Sequence, residues 1–155
     1  MTNRSRDANF RRVDVDQYTG DDGGFAAADA AELDDAVSLA MSDAELADLL
    51  ASNEATAALA ALLAKAPVNA RSQAVKDQAL GQVLRVLMHV RGANGIESCI
   101  AALPEPLLDP LMKYIYRGFE VIQDNHAHLL TWHEKAVAKG QIGCVVRALT
   151  DRKRV

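Results

Sequence analysis

The run SQAVKDQALGQVLRVLMHV, Ser72 to Val90, decides the fold class. Within it Leu80, Val83, Leu84 and Leu87 fall at i, i+3, i+4 and i+7. That spacing brings four apolar side chains to one face of an α-helix, whereas a strand would alternate them with polar residues.

The same reading extends in both directions. Upstream, Ser42 and Glu45 have the spacing of a capping box ahead of Leu46, Leu49 and Leu50, which predicts a short helix. Asn53 is placed to cap a second helix with Leu59, Leu62 and Leu63 on its face, stopped by Pro67. Downstream, the turn residues Gly92 to Gly95 lead into Ile96, Cys99, Ile100 and Leu103, ended by Pro104 and Pro106. Asp109 before Pro110 reads as the cap of a fifth helix through Leu111, Met112, Ile115, Tyr116 and Phe119. A sixth opens at Asp124 or Asn125, carries Leu129, Leu130, His133 and Val137 on one side, and precedes Gly140. Ile142, Val145, Val146 and Leu149 make a seventh, followed by the basic tail Asp151 to Val155. No segment alternates for long enough to be a strand. The expectation is an all-α protein: an irregular bundle or short superhelix of about six to seven helices over residues 42–155, preceded by an extended acidic N-terminal arm and linker over residues 1–41.

Composition agrees. Half of the 155 residues are apolar but only 5% are aromatic, which suits close-packed helices better than a β-sandwich. A chain of this size forms one domain with an adequate core. The net charge of −4 conceals an asymmetry: Met1 to Ala60 carries 13 acidic and 4 basic residues, Ala61 to Val155 carries 8 and 13. The mild excess of base in the body, without a long Lys/Arg run, argues against nucleic acid as a partner. Cys99 and Cys144 sit in apolar helical patterns, outside any CxxC or Cys-His spacing, and read as reduced core residues. With no basic-then-apolar start and no stretch of about 20 apolar residues, a soluble, cytoplasmic protein without a membrane span is expected.

Catalytic and cofactor signatures are weak. His126 and His133 share a helical face but His128 is turned away, and no HExxH or cysteine completes a zinc set. A metal hydrolase built on these histidines therefore has little support. There is no P-loop or GxGxxG, and Asp34 and Asp35 lie where water would solvate them. No enzyme activity, metal or cofactor is expected.

Two groups point instead to binding. FRRVDVDQY offers Phe10, Val13, Val15 and Tyr18 as anchors, with Arg11 and Arg12 ahead of Asp14 and Asp16. It reads either as a peptide lying along a partner or as a solvated tail. Lys113, Tyr114, Tyr116, Arg117 and Phe119 give one helix more aromatic surface than a single core stripe requires. That helix reads either as part interface or as a large core helix. Phe25 to Ala40 is open between marginal helix and linker.

These segments also carry a resemblance. FRRVDVDQY, SQAVKDQA (Ser72 to Ala79), LMKYIYRGFE (Leu111 to Glu120), WHEKA (Trp132 to Ala136) and the terminal VVRALTDRKRV occur in the order found in subunit 5, the 16-kDa subunit, of the actin-related protein 2/3 complex, and they span nearly the whole chain. The chain is similar to that family, with departures at the Ala-rich Phe25 to Ala40 and at Pro110. The resemblance implies a non-catalytic structural subunit of the assembly that nucleates branched actin filaments. It implies a helical body docked on the propeller subunit and subunit 4, with Lys113, Tyr114, Tyr116, Arg117, Phe119 and Trp132 as candidate body contacts. It implies an arm, Phe10 to Tyr18, that tethers actin-related protein 2. It further implies contact with actin filaments through the complex, a place in the cytoplasmic actin cytoskeleton, and no homo-oligomer. The alternative is a free-standing helical-repeat adaptor that binds peptides in a groove.

Overall fold

A computed structural model describes residues 41–70, 72–153 and 155, and the described residues are all helical with turns between. Six helices lie among the described residues: α1 (Asp43–Ala51), α2 (Ala55–Ala64), α3 (Gln73–His89), α4 (Ala93–Ala102), α5 (Leu108–Val121) and α6 (His126–Thr150), with a 3-10 turn (Glu105–Leu107) leading into α5. Residues 1–40, and with them the arm and linker, lie outside the described residues. No helix among the described residues is long and apolar enough to cross a membrane.

The periodicities place the core. Leu59, Leu62 and Leu63 of α2, Leu80, Val83, Leu84 and Leu87 of α3, Ile96, Cys99 and Ile100 of α4 with the adjoining Leu103, and Leu111, Met112 and Ile115 of α5 are all buried together. Each helix is stable because the stripe it presents is removed from water by its neighbours. The most extensively packed pair is α5 with α6. A Cβ at Gly118 would lie 2.9 Å from Leu84 Cδ2 and 3.2 Å from Leu129 Cδ1, so α5 crosses α3 and α6 at a separation that leaves no room for a side chain. Tyr114 is fully enclosed, and burial pushes its phenol up to about 12.

The helix ends show where local signals were read correctly and where they were not. The capping box at Ser42 forms as expected: Ser42 Oγ accepts the Glu45 N–H at 3.2 Å and Glu45 Oε2 accepts the Ser42 N–H at 2.9 Å. The Ser42 N–H, and then its hydroxyl, hold the Glu45 carboxyl below its ordinary range. Asn53 does not cap the start of α2; it closes the end of α1. With φ of 61° it adopts the left-handed conformation, and the Glu54 and Asn53 N–H groups reach back to the carbonyls of Leu49 (2.9 Å) and Leu50 (3.2 Å), the Schellman pairing. Nor does Asp109 precede α5. The helix begins one residue earlier and Asp109 and Pro110 lie in its first turn, where an amide has no intrahelical acceptor and proline costs nothing.

α6 departs most from the periodicity reading. Its buried side is Leu129, Trp132 and Ala136, at i, i+3 and i+7, while Leu130 is 56% exposed. The bulk of Trp132 sets the rotation of the helix, because burying the indole removes more apolar surface than burying Leu130 would. Side chains of α6 also terminate other helices. Trp132 Nε1–H (3.1 Å) and His128 Nε2–H (2.8 Å) both donate to the Leu87 carbonyl near the end of α3. Lys139 Nζ donates to the carbonyls of Ile100 (2.8 Å), Ala101 (3.0 Å) and Leu103 at the end of α4. These are carbonyls that a helix C-terminus leaves without an intrahelical partner, and the ammonium also meets the negative end of the α4 dipole.

Gln141 breaks α6 into the two segments expected around Gly140, with φ of 54° and ψ of −170°. A Cβ at Gly140 would meet Cys144 Sγ at 3.0 Å and Leu108 Cδ1 at 3.1 Å, so the chain turns where α6 presses on α5. The Gln141 conformation belongs essentially to glycine and costs a residue with a Cβ about 1–3 kcal/mol. Gln141→Gly is therefore expected to raise stability by about 1 kcal/mol after the entropy cost of glycine is subtracted. Chemical denaturation of the two proteins measures it, and a lower midpoint for the glycine variant would show that the break carries no strain.

Candidate functional site

Lys113, Tyr116, Arg117 and Glu120 recur at i, i+3, i+4 and i+7 on α5 and form one wall of a groove. The facing wall is Ala148, Leu149 and Thr150 at the end of α6 and the segment Asp151, Arg152, Lys153 and Val155, with Gln73 at one end. The volume is about 630 Å³. A second cleft of about 510 Å³ lies on the other side of Lys113, Thr150 and Asp151, floored by Leu63, Ala66, Val68 and Pro110.

Ion pairs lock the C-terminal segment onto α5 between the two clefts. Lys113 Nζ bonds Asp151 at 2.6 Å and the Lys153 carbonyl at 2.9 Å. Arg117 donates to the Val155 carbonyl oxygen and to Asp77 of α3, and Val155 is only 2% exposed. Arg147 and Asp109 make a two-pronged pair at 2.7 and 3.0 Å, the geometry in which guanidinium and carboxylate bind best. The Lys113 ammonium, then the Lys153 N–H, hold the Asp151 carboxyl below its ordinary range, and the hydrogen bond to Asp109 moves Arg147 further above its already high value. Lys113 and Arg117 are mostly covered, but each pair has a partner open to solvent in Asp151, Asp77 or Arg147, so each adds little to stability. Their effect is to set the shape of the surface.

Beside the groove runs an apolar stripe. Ile142, Val146 and Leu149 of α6 are 69%, 51% and 65% exposed. At i, i+4 and i+7 they share a helix face, with Leu149 also lining the groove. A contiguous exposed stripe of this kind marks an interaction surface more often than scattered apolar residues do.

The residues singled out from the sequence divide accordingly. Phe10, Arg11, Arg12, Val13, Asp14, Val15, Asp16 and Tyr18 lie outside the described residues. Lys113, Tyr116 and Arg117 come together in the groove. Phe119 is half-buried and stacks on His126, with ring centroids 6.1 Å apart and planes at 18°. Tyr114 and Trp132 have no exposed surface; both are packed inside the body and offer nothing to a partner. Ile142, Val145, Val146 and Leu149 were read as the pattern of a seventh helix; Cys144, read as a core residue, is the one buried in that segment, and Ile142, Val146 and Leu149 face outward. The available signal was that Ile142, Val145, Val146 and Leu149 make the segment apolar on more than one side.

The three histidines do not converge. His126 Nε2 donates to the Gln123 carbonyl at 3.1 Å, His128 binds the Leu87 carbonyl, and His133 Nε2 pairs with the Tyr116 hydroxyl at 3.1 Å. Among the described residues no three metal-ligating side chains cluster. Burial raises the Tyr116 hydroxyl above its ordinary value. The groove thus presents a neutral phenol, cations and aliphatic surface, an arrangement suited to contact with another protein.

Known proteins give the same answer from a separate direction. The family model described as ARP2/3 complex 16 kDa subunit (p16-Arc) matches residues 9–155. Over 166 aligned residues the chain is 40% identical to actin-related protein 2/3 complex subunit 5-C of Xenopus laevis, covering 100% of both proteins. It is 38% identical over 156 residues to the subunit 5-like protein of Homo sapiens, again covering 100% of both. To subunit 5 of Dictyostelium discoideum it is 33% identical over 89 residues, covering 57% of this chain and 63% of that protein. The family is that of a structural, non-catalytic subunit, and the helical body and the full-length agreement together place this chain within it: the protein belongs to the ARP2/3 complex 16 kDa subunit family.

Proposed function

We propose that the protein is a structural subunit of the actin-related protein 2/3 complex, working at sites of branched actin assembly in the cytoplasm. Its body docks on the propeller subunit and subunit 4, and Phe10 to Tyr18 form an arm that tethers actin-related protein 2. The observation that carries the docking half is the stripe Ile142, Val146 and Leu149, exposed beside a groove that holds Lys113, Tyr116 and Arg117. Apolar surface with an adjoining rim of charge and aromatic groups is the usual anatomy of a protein interface. Support for the arm is its sequence, with apolar anchors alternating with charge, and the family match that begins at residue 9.

Tethering has a defined physical meaning. An anchored body keeps the arm's target at high effective concentration while the complex changes shape, so the arm's own contact can be weak. Ordering the arm on its target removes about 2–5 kcal/mol from the gross interaction energy, which keeps that contact reversible.

Affinity purification of the tagged chain from its native cytosol tests the whole reading. Recovery in a stoichiometric assembly with two actin-related proteins and a propeller subunit is the expected result. Recovery as a monomer or with unrelated partners would favour the helical-repeat adaptor. Deleting residues 1–24 is expected to speed dissociation of actin-related protein 2 while the body stays in the complex. Unchanged retention of that subunit in a wash-off experiment would sink the tether.

A further inference from the structure

Among the described residues Gln82 is the polar side chain enclosed in the core, 5% exposed on α3. Its Nε2 donates to the Met41 carbonyl and to Asp43 Oδ1, both at 3.0 Å. Its Oε1 is buried and has no hydrogen-bond partner among the described residues. A half-satisfied buried amide is a poor way to stabilise a core, and an aliphatic residue would serve packing better. The position of Gln82 is explained by what it grips. Met41 and Asp43 flank Ser42, the N-cap of α1, and they lie 41 and 39 residues away in the chain.

α1 needs such a grip. With nine residues it is shorter than the length at which a helix persists alone, so tertiary contacts must hold it. Leu46 is its one fully buried side chain, and a helix so lightly packed belongs to the part of a fold that opens first. The Asp43 carboxylate serves twice, favouring the positive end of the α1 dipole and accepting from Gln82.

We infer that Gln82 is a positioning residue that fixes where, and in which direction, residues 1–40 join the body. Its bearing on assembly rests on the tethering reading above. A tether works from a fixed root, and loss of α1 would lengthen the path from Tyr18 to the folded body by about half, lowering the effective concentration of the arm roughly twofold.

Hydrogen exchange on the full chain, read by mass spectrometry, tests the clamp. Gln82→Met keeps the volume and removes the donors; exchange across Asp43 to Ala51 should accelerate roughly tenfold, the loss expected for two buried hydrogen bonds. Gln82→Glu should accelerate it further, because a carboxylate only accepts and would face the Asp43 carboxylate and the Met41 carbonyl. Peptides from α5 and α6 report whether each variant is folded. Unchanged α1 exchange in either variant that keeps α5 and α6 protected overturns the inference. In the reconstituted complex, a Gln82 variant whose α1 amides have lost protection altogether should release actin-related protein 2 about twofold faster, and one whose α1 opens only part of the time proportionately less. Lost α1 protection with unchanged release would uphold the clamp and count against the tether, which separates the two.

Discussion

Trp132→Ala is expected to lower the melting temperature of the protein by roughly 12–20 °C. The indole is fully buried, and its Nε1–H donates to the Leu87 carbonyl. Truncating such a side chain costs about 3–5 kcal/mol through lost transfer energy and the cavity left behind. A body of this size has about 5–15 kcal/mol in total and loses roughly 4 °C per kcal/mol. Trp132→Phe separates the two contributions. His128 shares the Leu87 acceptor, so the carbonyl keeps a partner when the indole N–H is gone. The phenylalanine variant should therefore cost only about 1–2 kcal/mol, mostly in volume. Calorimetry of the three proteins decides it, and an alanine variant melting within a few degrees of wild type would mean that α6 is not the element on which the core closes.

The second large effect falls on assembly and spares the fold. Replacing Ile142, Val146 and Leu149 together by glutamine is expected to weaken binding of the body to its partner subunits roughly a hundredfold. Each of these side chains is at least half exposed in the free chain, and covering each in an interface contributes about 1 kcal/mol. Three such contributions amount to about two powers of ten in affinity. Glutamine is a good helix former, so at exposed positions the change in stability should stay within about 0.5 kcal/mol per site. Competition between the variant and wild type for a complex reconstituted without this subunit measures the loss. Equal affinity would remove the stripe from the interface and leave the family assignment untouched.

Where burial decided the outcome, the sequence was legible. The faces of α2, α3 and α4 were read from spacing alone, because a helix with one apolar stripe has one way to bury it; on α5, apolar on more than one side, spacing found Leu111, Met112 and Ile115 but left Tyr114 open between core and interface. Asn53 was misplaced because both ends of a helix accept Asn, and the choice depends on backbone angles that no residue type fixes; Asp109 was misplaced because the first turn favours a carboxylate as the N-cap does. Leu130 and Trp132 exchanged roles because periodicity ranks positions by spacing, whereas packing ranks them by area. The apolar stripe escaped for a related reason. A segment apolar on two sides reads as deep core until the neighbours are counted, and beyond Gln141 neighbours cover only the side of Cys144. Gln82 gave no signal, since a tie across 41 residues leaves no local pattern. The arm's residues were legible as a motif and by resemblance, and their role is a proposal for experiment.

The way α6 finishes α3 and α4 bears on how the protein is made. The bonds from His128, Trp132 and Lys139 join positions 36–45 residues apart, and each waits for a segment synthesised later. On the ribosome, α1 to α4 emerge before the side chains that close their ends exist outside the exit tunnel, at about 5–20 residues per second. For several seconds the nascent chain holds its leucine faces without the indole that seals them. Closure of the body thus waits for α6, and over that interval the leucine faces are open to water and to other chains.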